Sequence, residues 1–273
     1  MTIVKAKRKP YWRTMPCPMC GAKKTMREWI WGMPAFPVDE SKFIIGGCMI
    51  EASFTTPEIA CSECGWGGSK ADLYAPIKQP TKLTSRFIEA LNYANKWHSD
   101  QTRKASRIAY ISHPVSVAGL IIEAGGTEDE VIAGLLHDVP EDCGGEPRLK
   151  EIKRKFGENV AEIVRACSDS LVEVGAKKDP WKKRKEDHLA KLWNSDDSVL
   201  LVTAADKAHN ASAIVTDLRH QGDVVWKRFN ASRDDIIWYY DEVLKILSAH
   251  GENSRLISQL RQSILDMKGI REI

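Results

Sequence analysis

His137 and Asp138 end an apolar run, Ala133-Gly134-Leu135-Leu136, and this position constrains the chain more than any other feature. An ionisable pair that continues an apolar helix lies at or beside a buried surface. An ionised aspartate there needs a partner or a metal, because an isolated buried charge is costly. The situation recurs at Asp206, which follows the apolar run from Val199 to Ala205, interrupted by Thr203. His113 precedes Pro114 at the start of a third apolar segment. Proline suits a first helical turn, where its missing N–H costs nothing. Two imidazoles and two carboxylates on three apolar segments can thus converge on one divalent ion. Such a donor set suits Mn²⁺, Fe²⁺ or Zn²⁺, and its oxygen share tilts towards Mn²⁺. A second acidic pair, Glu141 and Asp142, stands one turn further on. That inventory fits metal-assisted hydrolysis of a phosphate ester or anhydride. Pro140 disfavours helix at Val139, so Glu141 and Asp142 are expected to begin a turn, with Cys143-Gly144-Gly145 completing it.

The chain has 273 residues, enough for one large domain or a medium domain plus a small one. Its composition changes near residue 80. Residues 1–78 are rich in Pro, Gly, Trp and Cys, as in Trp31-Gly32-Met33-Pro34, and sustain no helical period. Short strands joined by turns are expected there. Pro76 and Pro80 bracket a linker. Residues 82–273 read as helical almost throughout. Thr84 or Ser85 caps a first helix running to about residue 98, and residues 113–124 form another, ended by Gly125-Gly126. Thr127 with Glu130 makes a capping box for the helix that carries His137-Asp138. Helices are expected over 147–156, 158–169, 181–193, 196–220, 233–249 and 253–267. In the last, Leu256, Ile257, Leu260, Ile264 and Leu265 recur at helical spacing, so it should pack back onto the bundle.

Four of the seven cysteines form two pairs, Cys17-Pro18-Met19-Cys20 and Cys61-Ser62-Glu63-Cys64, each followed by glycine. Four thiolates at such turns make a closed tetrahedral structural Zn²⁺ site, and the pattern resembles a zinc ribbon with a long insert. A module this small rarely folds without such a staple. Zinc ribbons commonly bind nucleic acid or protein, so either partner could dock here, helped by Lys5 to Lys9 and Lys23-Lys24. A lid or docking surface for the rest of the chain is an equally plain reading. The odd remainder, Cys48, Cys143 and Cys167, fits a reducing compartment better than a disulfide framework. The basic N-terminus is not followed by an apolar stretch, and no run approaches the roughly 20 residues of a membrane helix. A cytoplasmic protein without a membrane partner is expected. The net charge of +3 is too small to argue for nucleic acid by itself.

Three ordered segments carry a resemblance: Arg103-Lys104 before Tyr110-Ile111-Ser112-His113-Pro114, then Leu136-His137-Asp138-Val139-Pro140-Glu141-Asp142, then Ala205-Asp206-Lys207-Ala208-His209-Asn210. From residue 84 to about 247 the chain resembles the HD-superfamily hydrolase domain of the RelA/SpoT homologues, nearest to the small alarmone hydrolases. The resemblance implies a mainly α HD-domain bundle behind the small β-rich zinc-ribbon domain. It implies an Mn²⁺-dependent enzyme that removes the 3′-pyrophosphate of ppGpp or pppGpp, giving GDP or GTP and pyrophosphate. Carried over residue by residue, His113, His137, Asp138 and Asp206 would hold the metal. Glu141 and Asp142 would position and deprotonate the attacking water, and Arg103, Lys104 and Asn210 would contact the nucleotide. Alternatives are an HD hydrolase of another nucleotide, such as an adenine alarmone or NADPH, and a non-catalytic nucleotide-binding regulator. By the same match His209 is a neighbour of the metal rather than a ligand. His98 is expected at a helix end on the surface, and His188, His220 and His250 as surface or cap residues. Trp238-Tyr239-Tyr240 should pack in the core.

Overall fold

The computed structural model describes residues 12–17, 22–30, 37–45, 57–64, 67–70, 81–104, 106–172, 179–250 and 254–269. Cys20, Cys48, Lys5 to Lys9, Trp31 to Pro34 and the expected Pro76–Pro80 linker lie outside them. The chain divides into two compact units, Met1–Lys78 and Gln79–Ile273.

The first unit is a four-stranded sheet in the order β2-β1-β3-β4. Its strands are β1 (Met26–Ile30), β2 (Phe43–Ile45), β3 (Ile59–Cys61) and β4 (Gly67–Gly68). β2 runs parallel to β1, while β3 is antiparallel to both β1 and β4. Among the described residues the buried cluster is small: Cys17, Met26, Ile59 and Cys61, with Trp12 and Met15 against it. Polar bonds extend it. The Arg13 guanidinium lies 4.5 Å from the Trp12 ring centre and 5.1 Å from that of Phe43, and it reaches Glu28 at 3.2 Å.

The second unit is helical. Its elements are α1 (Ser85–Trp97), α2 (Ser112–Glu123), α3 (Glu128–Leu136), α4 (Val139–Cys143), α5 (Gly145–Phe156), α6 (Glu158–Cys167), α7 (Trp181–Leu192), α8 (Asp197–Gln221), α9 (Arg233–His250) and α10 (Ser254–Gly269). The expected caps form. Thr84 accepts from the Arg86 amide, and Thr127 and Glu130 bond reciprocally as a capping box. Asp196, with its side chain on the Val199 amide, starts α8.

α3 is the centre of the core. Val131 through Leu136 are all buried, and the helix touches α1, α2, α6 and α8. A helix apolar all round can only sit inside. Gly134 makes the close approach of α2 possible, since a Cβ there would run into Ile121 Cδ1. α8 is buried continuously from Val199 to Asp206. α10 packs on α8 and α9, burying Leu256, Ile257, Leu260 and Ile264. Leu265 does not follow them; it is an exposed side chain.

Candidate metal centre

Three core helices deliver the donors. His113 is the second residue of α2, His137 and Asp138 follow the last turn of α3, and Asp206 lies in the buried half of α8. His113 Nε2 stands 3.3 Å from His137 Nε2 and 3.2 Å from Asp206 Oδ1. Asp138 Oδ2 lies 3.1 Å from His137 Nε2 and 3.4 Å from His113 Nε2. Ligand atoms of His113, His137 and Asp206 all fall within 4.8 Å of one another.

The surroundings prepare these atoms for a cation. His137 Nδ1 is 2.8 Å from the Gly134 carbonyl, so that nitrogen donates and the Nε2 lone pair faces the cluster. His113 Nδ1 is 2.8 Å from His209 Nδ1. His209 is held down to about 4, by burial first and then by His113 and Arg103, so it stays neutral and can accept the His113 proton. A ring oriented through its second nitrogen is the usual support of a metal-binding histidine. Without a cation His137 favours its protonated form. Burial opposes charge on His137, yet Asp138 and Asp206 outweigh it and raise the imidazole well above its ordinary range. Burial likewise opposes charge on both aspartates, but His137 and Lys207 respectively, with the imidazoles, hold them well below theirs. Two imidazole nitrogens and two carboxylates around one buried point that favours positive charge fit a divalent ion.

Further bonds fix the carboxylates. Tyr110 donates to Asp138 Oδ2 at 2.7 Å. Lys207 donates to Asp206 Oδ2 at 2.6 Å, and Asn210 to Asp206 Oδ1 at 2.6 Å. Asn210 in turn accepts from Arg103 at 2.8 Å, so two of the three expected nucleotide contacts join the metal cluster in one network. Lys104 points elsewhere, with Nζ 5.8 Å from the Phe229 ring centre.

The turn expected at Glu141-Asp142 is a helix instead. Asp138 is the N-cap of α4, Pro140 lies in its first turn, and the Asp142 amide bonds the Asp138 carbonyl at 3.0 Å. Pro140 therefore starts a helix rather than stopping one, because its missing donor falls among first-turn groups that need no helical partner. Glu141 accepts from the Asp169 amide at 3.0 Å, while Asp142 is solvent-exposed.

Two histidines expected near the surface are buried. His98 packs on Tyr110, with ring centres 4.8 Å apart, and bonds Gln101 at 2.7 Å. His188, on α7, is 2% exposed and lies 3.5 Å from Asp169 Oδ1. Burial is the first cause of the lowered pKa of both, which keeps them neutral. Helical period alone cannot reveal either, since each interrupts a largely polar segment. His220 and His250 are exposed as expected, and Tyr239 and Tyr240 are in the core. Motif reading also passed over Tyr110, Lys207 and Asp169. The first two sat inside matched segments; nothing local marks Asp169.

A second candidate metal group lies in the N-terminal unit. Sulfurs of Cys17, Cys61 and Cys64 fall within 4.8 Å of one another, and Cys17 and Cys64 are 3.7 Å apart. Burial opposes ionisation of Cys61, but its bonds with the Thr25 hydroxyl and the Cys64 and Glu63 backbone outweigh it and bring the thiol down to about 6.

A helical bundle that turns two imidazoles and two carboxylates onto one buried point defines a class of metal-centre α protein. Comparison narrows the class. The HD domain family profile matches residues 90–237, and the chain belongs to that family. Guanosine-3′,5′-bis(diphosphate) 3′-pyrophosphohydrolase MESH1 of Xenopus tropicalis is 30% identical over 183 residues, covering 66% of this chain and 93% of that protein. The guanosine-3′,5′-bis(diphosphate) 3′-pyrophosphohydrolase of Aquifex aeolicus is 32% identical over 156 residues, which is 21% of its own length. A solved structure described as a metazoan orthologue of SpoT that hydrolyses ppGpp superposes with a TM-score of 0.56 at 27% identity, over 70% of this chain and 99% of that one. Among the described residues no helix is long and apolar enough to cross a membrane.

Proposed function

We propose that the helical unit is a metal-dependent 3′-pyrophosphohydrolase of ppGpp and pppGpp, releasing pyrophosphate and GDP or GTP. One observation carries the reading: the His113, His137, Asp138 and Asp206 cluster lies inside residues 90–237, the stretch the HD domain profile matches, in a chain whose relatives are named for that reaction. These four side chains would hold Mn²⁺, the ion their mixed nitrogen and oxygen donors favour. A divalent ion there supplies Lewis acidity towards a phosphoryl oxygen and lowers the pKa of a water.

The chain's own groups do the rest. Glu141, next to the centre on α4, accepts the water's proton, and the Asp169 amide fixes one of its oxygens. Asp142 shares that task from the exposed side of the same turn. Arg103, braced by Asn210, offers a planar fork to phosphate or base, and Lys104 adds a point charge. The Cys17, Cys20, Cys61 and Cys64 set would hold structural Zn²⁺ in a unit of its own, open to a protein or nucleic-acid partner. Free cysteines at 143 and 167 suit the reducing conditions of a cytoplasm.

The test is turnover of ppGpp by the Mn²⁺-loaded chain with products resolved. Pyrophosphate and GDP should appear. Release of single phosphates, or turnover confined to adenine alarmones or NADPH, would replace this reading.

A further inference from the structure

Asp206 divides its two oxygens between two basic arms. Oδ1 faces the histidines and Asn210, through which it reaches Arg103. Oδ2 takes Lys207, and beyond Lys207 lies a second group of charges on α7 and the segment before it. There Asp169 bonds Lys185, Arg184 Nη1 stands 3.5 Å from Asp169 Oδ2 and 3.9 Å from Glu141 Oε1, and His188 Nδ1 lies 3.5 Å from Asp169 Oδ1. Three features mark this group as incomplete. Arg184 spends only its Nε on a good hydrogen bond, to the Asp179 carbonyl at 3.1 Å, and its terminal nitrogens sit too far from either carboxylate to bond well. His188 is buried with no hydrogen-bond partner on either ring nitrogen, a costly state that marks a place where another polar group belongs. Burial and then Lys207 depress Lys185, so the carboxylates present do not fully offset the cations. With a divalent ion balanced by Asp138 and Asp206, the carboxylates that the cations Arg184, Lys185 and Lys207 would face among the described residues are Asp169 and Glu141.

We propose that Arg184 and Lys185 form an anion subsite beside the metal centre that takes a phosphate group of the substrate, with Asp169 holding the two side chains in place until it arrives. The proposal rests on the hydrolase reading for its substrate but not for its chemistry. A substrate phosphorylated at both the 3′ and 5′ positions offers two sources of the group: the leaving pyrophosphate and the 5′-phosphates. An open arginine fork beside a lysine suits either.

The experiment measures binding of inorganic pyrophosphate to the Mn²⁺-loaded full chain by calorimetry, for wild type, Arg184→Gln and Arg184→Lys. Arg184→Gln should weaken binding by about 10-fold or more, the scale of one charge-assisted hydrogen bond. Arg184→Lys should recover part of the loss, and metal content and helicity should stay at wild-type values. KM for ppGpp should rise with the same order of variants. If the rise is equal for guanosine 3′-diphosphate with a free 5′-hydroxyl, the subsite takes the leaving pyrophosphate; if it is confined to ppGpp, the subsite takes the 5′-phosphates. Unchanged pyrophosphate affinity in folded, metal-replete Arg184→Gln overturns the subsite. Weakened pyrophosphate binding without any turnover of ppGpp by wild type would keep the subsite and overturn the hydrolase reading instead.

Discussion

The two units place their candidate metal ligands at opposite ends of the causal chain from sequence to fold. In the helical unit one contiguous core runs from Ala90 on α1 to Met267 on α10, and the His/Asp cluster is set into its wall. Apolar burial comes first there and positions the ligands. In the N-terminal unit the buried side chains among the described residues are Cys17, Met26, Ile59, Ala60 and Cys61, so two of the five are themselves thiols of the candidate metal group. If the thiols hold an ion as proposed, a sheet whose described residues bury so little apolar surface should depend on it for its fold. On the proposed reading one unit organises a metal, while the other is organised by one.

The largest effect expected from this contrast is on metal removal. Mild EDTA should take the ion from the His/Asp centre and abolish activity, and added Mn²⁺ should restore it without refolding. A stronger chelator that also strips the thiolates should erase the dispersed amide resonances of Met26–Ile30 and Ile59–Cys61, leaving the helical circular dichroism intact. Survival of the sheet resonances in zinc-free protein would show that the thiols are not its staple. Bound metal that is zinc throughout, with no response to Mn²⁺, would remove the assignment of two different ions.

Within the helical unit the contrast sharpens into a pair of substitutions. Asp206→Asn keeps shape but removes one ligand charge, so metal occupancy and turnover should fall together, by at least about 10²-fold in turnover, the upper range seen when only an outer partner of a ligand is lost. Glu141→Gln should leave the ion bound and slow the chemistry by about 10²-fold or more, the usual scale for general acid–base help. Metal analysis beside steady-state kinetics separates the two. Wild-type turnover in Glu141→Gln would leave Asp142 as the only carboxylate base.

The difference between the units also explains what could be read in advance. The helices and caps of the second unit were legible because hydrophobic period, the Thr127–Glu130 box and terminal glycines agree with one another there. The ligand cluster was legible because charged residues interrupt apolar runs that tertiary structure must bury. Pro140 misled, since its cost depends on whether it enters a helix or begins one, and only the cap at Asp138 decides that. His98 and His188 were misplaced because their burial comes from packing against Tyr110 and Tyr239, contacts between distant segments. His209 shows the same limit in milder form: the motif placed it near the metal, but its bond to His113 crosses from α8 to α2. That bond predicts a smaller effect. His209→Phe should keep the fold and cost about 10- to 100-fold in Mn²⁺ affinity, measured by competition with a fluorescent chelator. Unaltered affinity would reduce His209 to packing.

The smallest expected effect asks whether the helical unit is folded before its metal arrives. If it is, the stripped form has a pH dependence of its own. His137 is raised well above its ordinary range in the folded, metal-free state, because Asp138 and Asp206 outweigh burial. A raised histidine contributes stability that is complete below its unfolded value, near 6.5, and is lost as pH climbs through the folded value. Above the unfolded value and below the folded one, the unfolded chain has released this proton and the folded chain still holds it. Thermal stability of the stripped helical unit should therefore fall over that window, with one proton setting an upper limit of about 1.4 kcal/mol per pH unit. Mn²⁺ should reverse the sign. The ion needs neutral imidazoles, so protons compete with it, and the loaded unit should gain stability as pH rises. The depressed histidines do not disturb this window, since His188 and His209 lie near 4 and are neutral throughout. Melting followed at 222 nm with and without Mn²⁺ gives both slopes. Parallel slopes would mean that the ion does not replace a proton at His137, and the centre would then have to be built from other atoms.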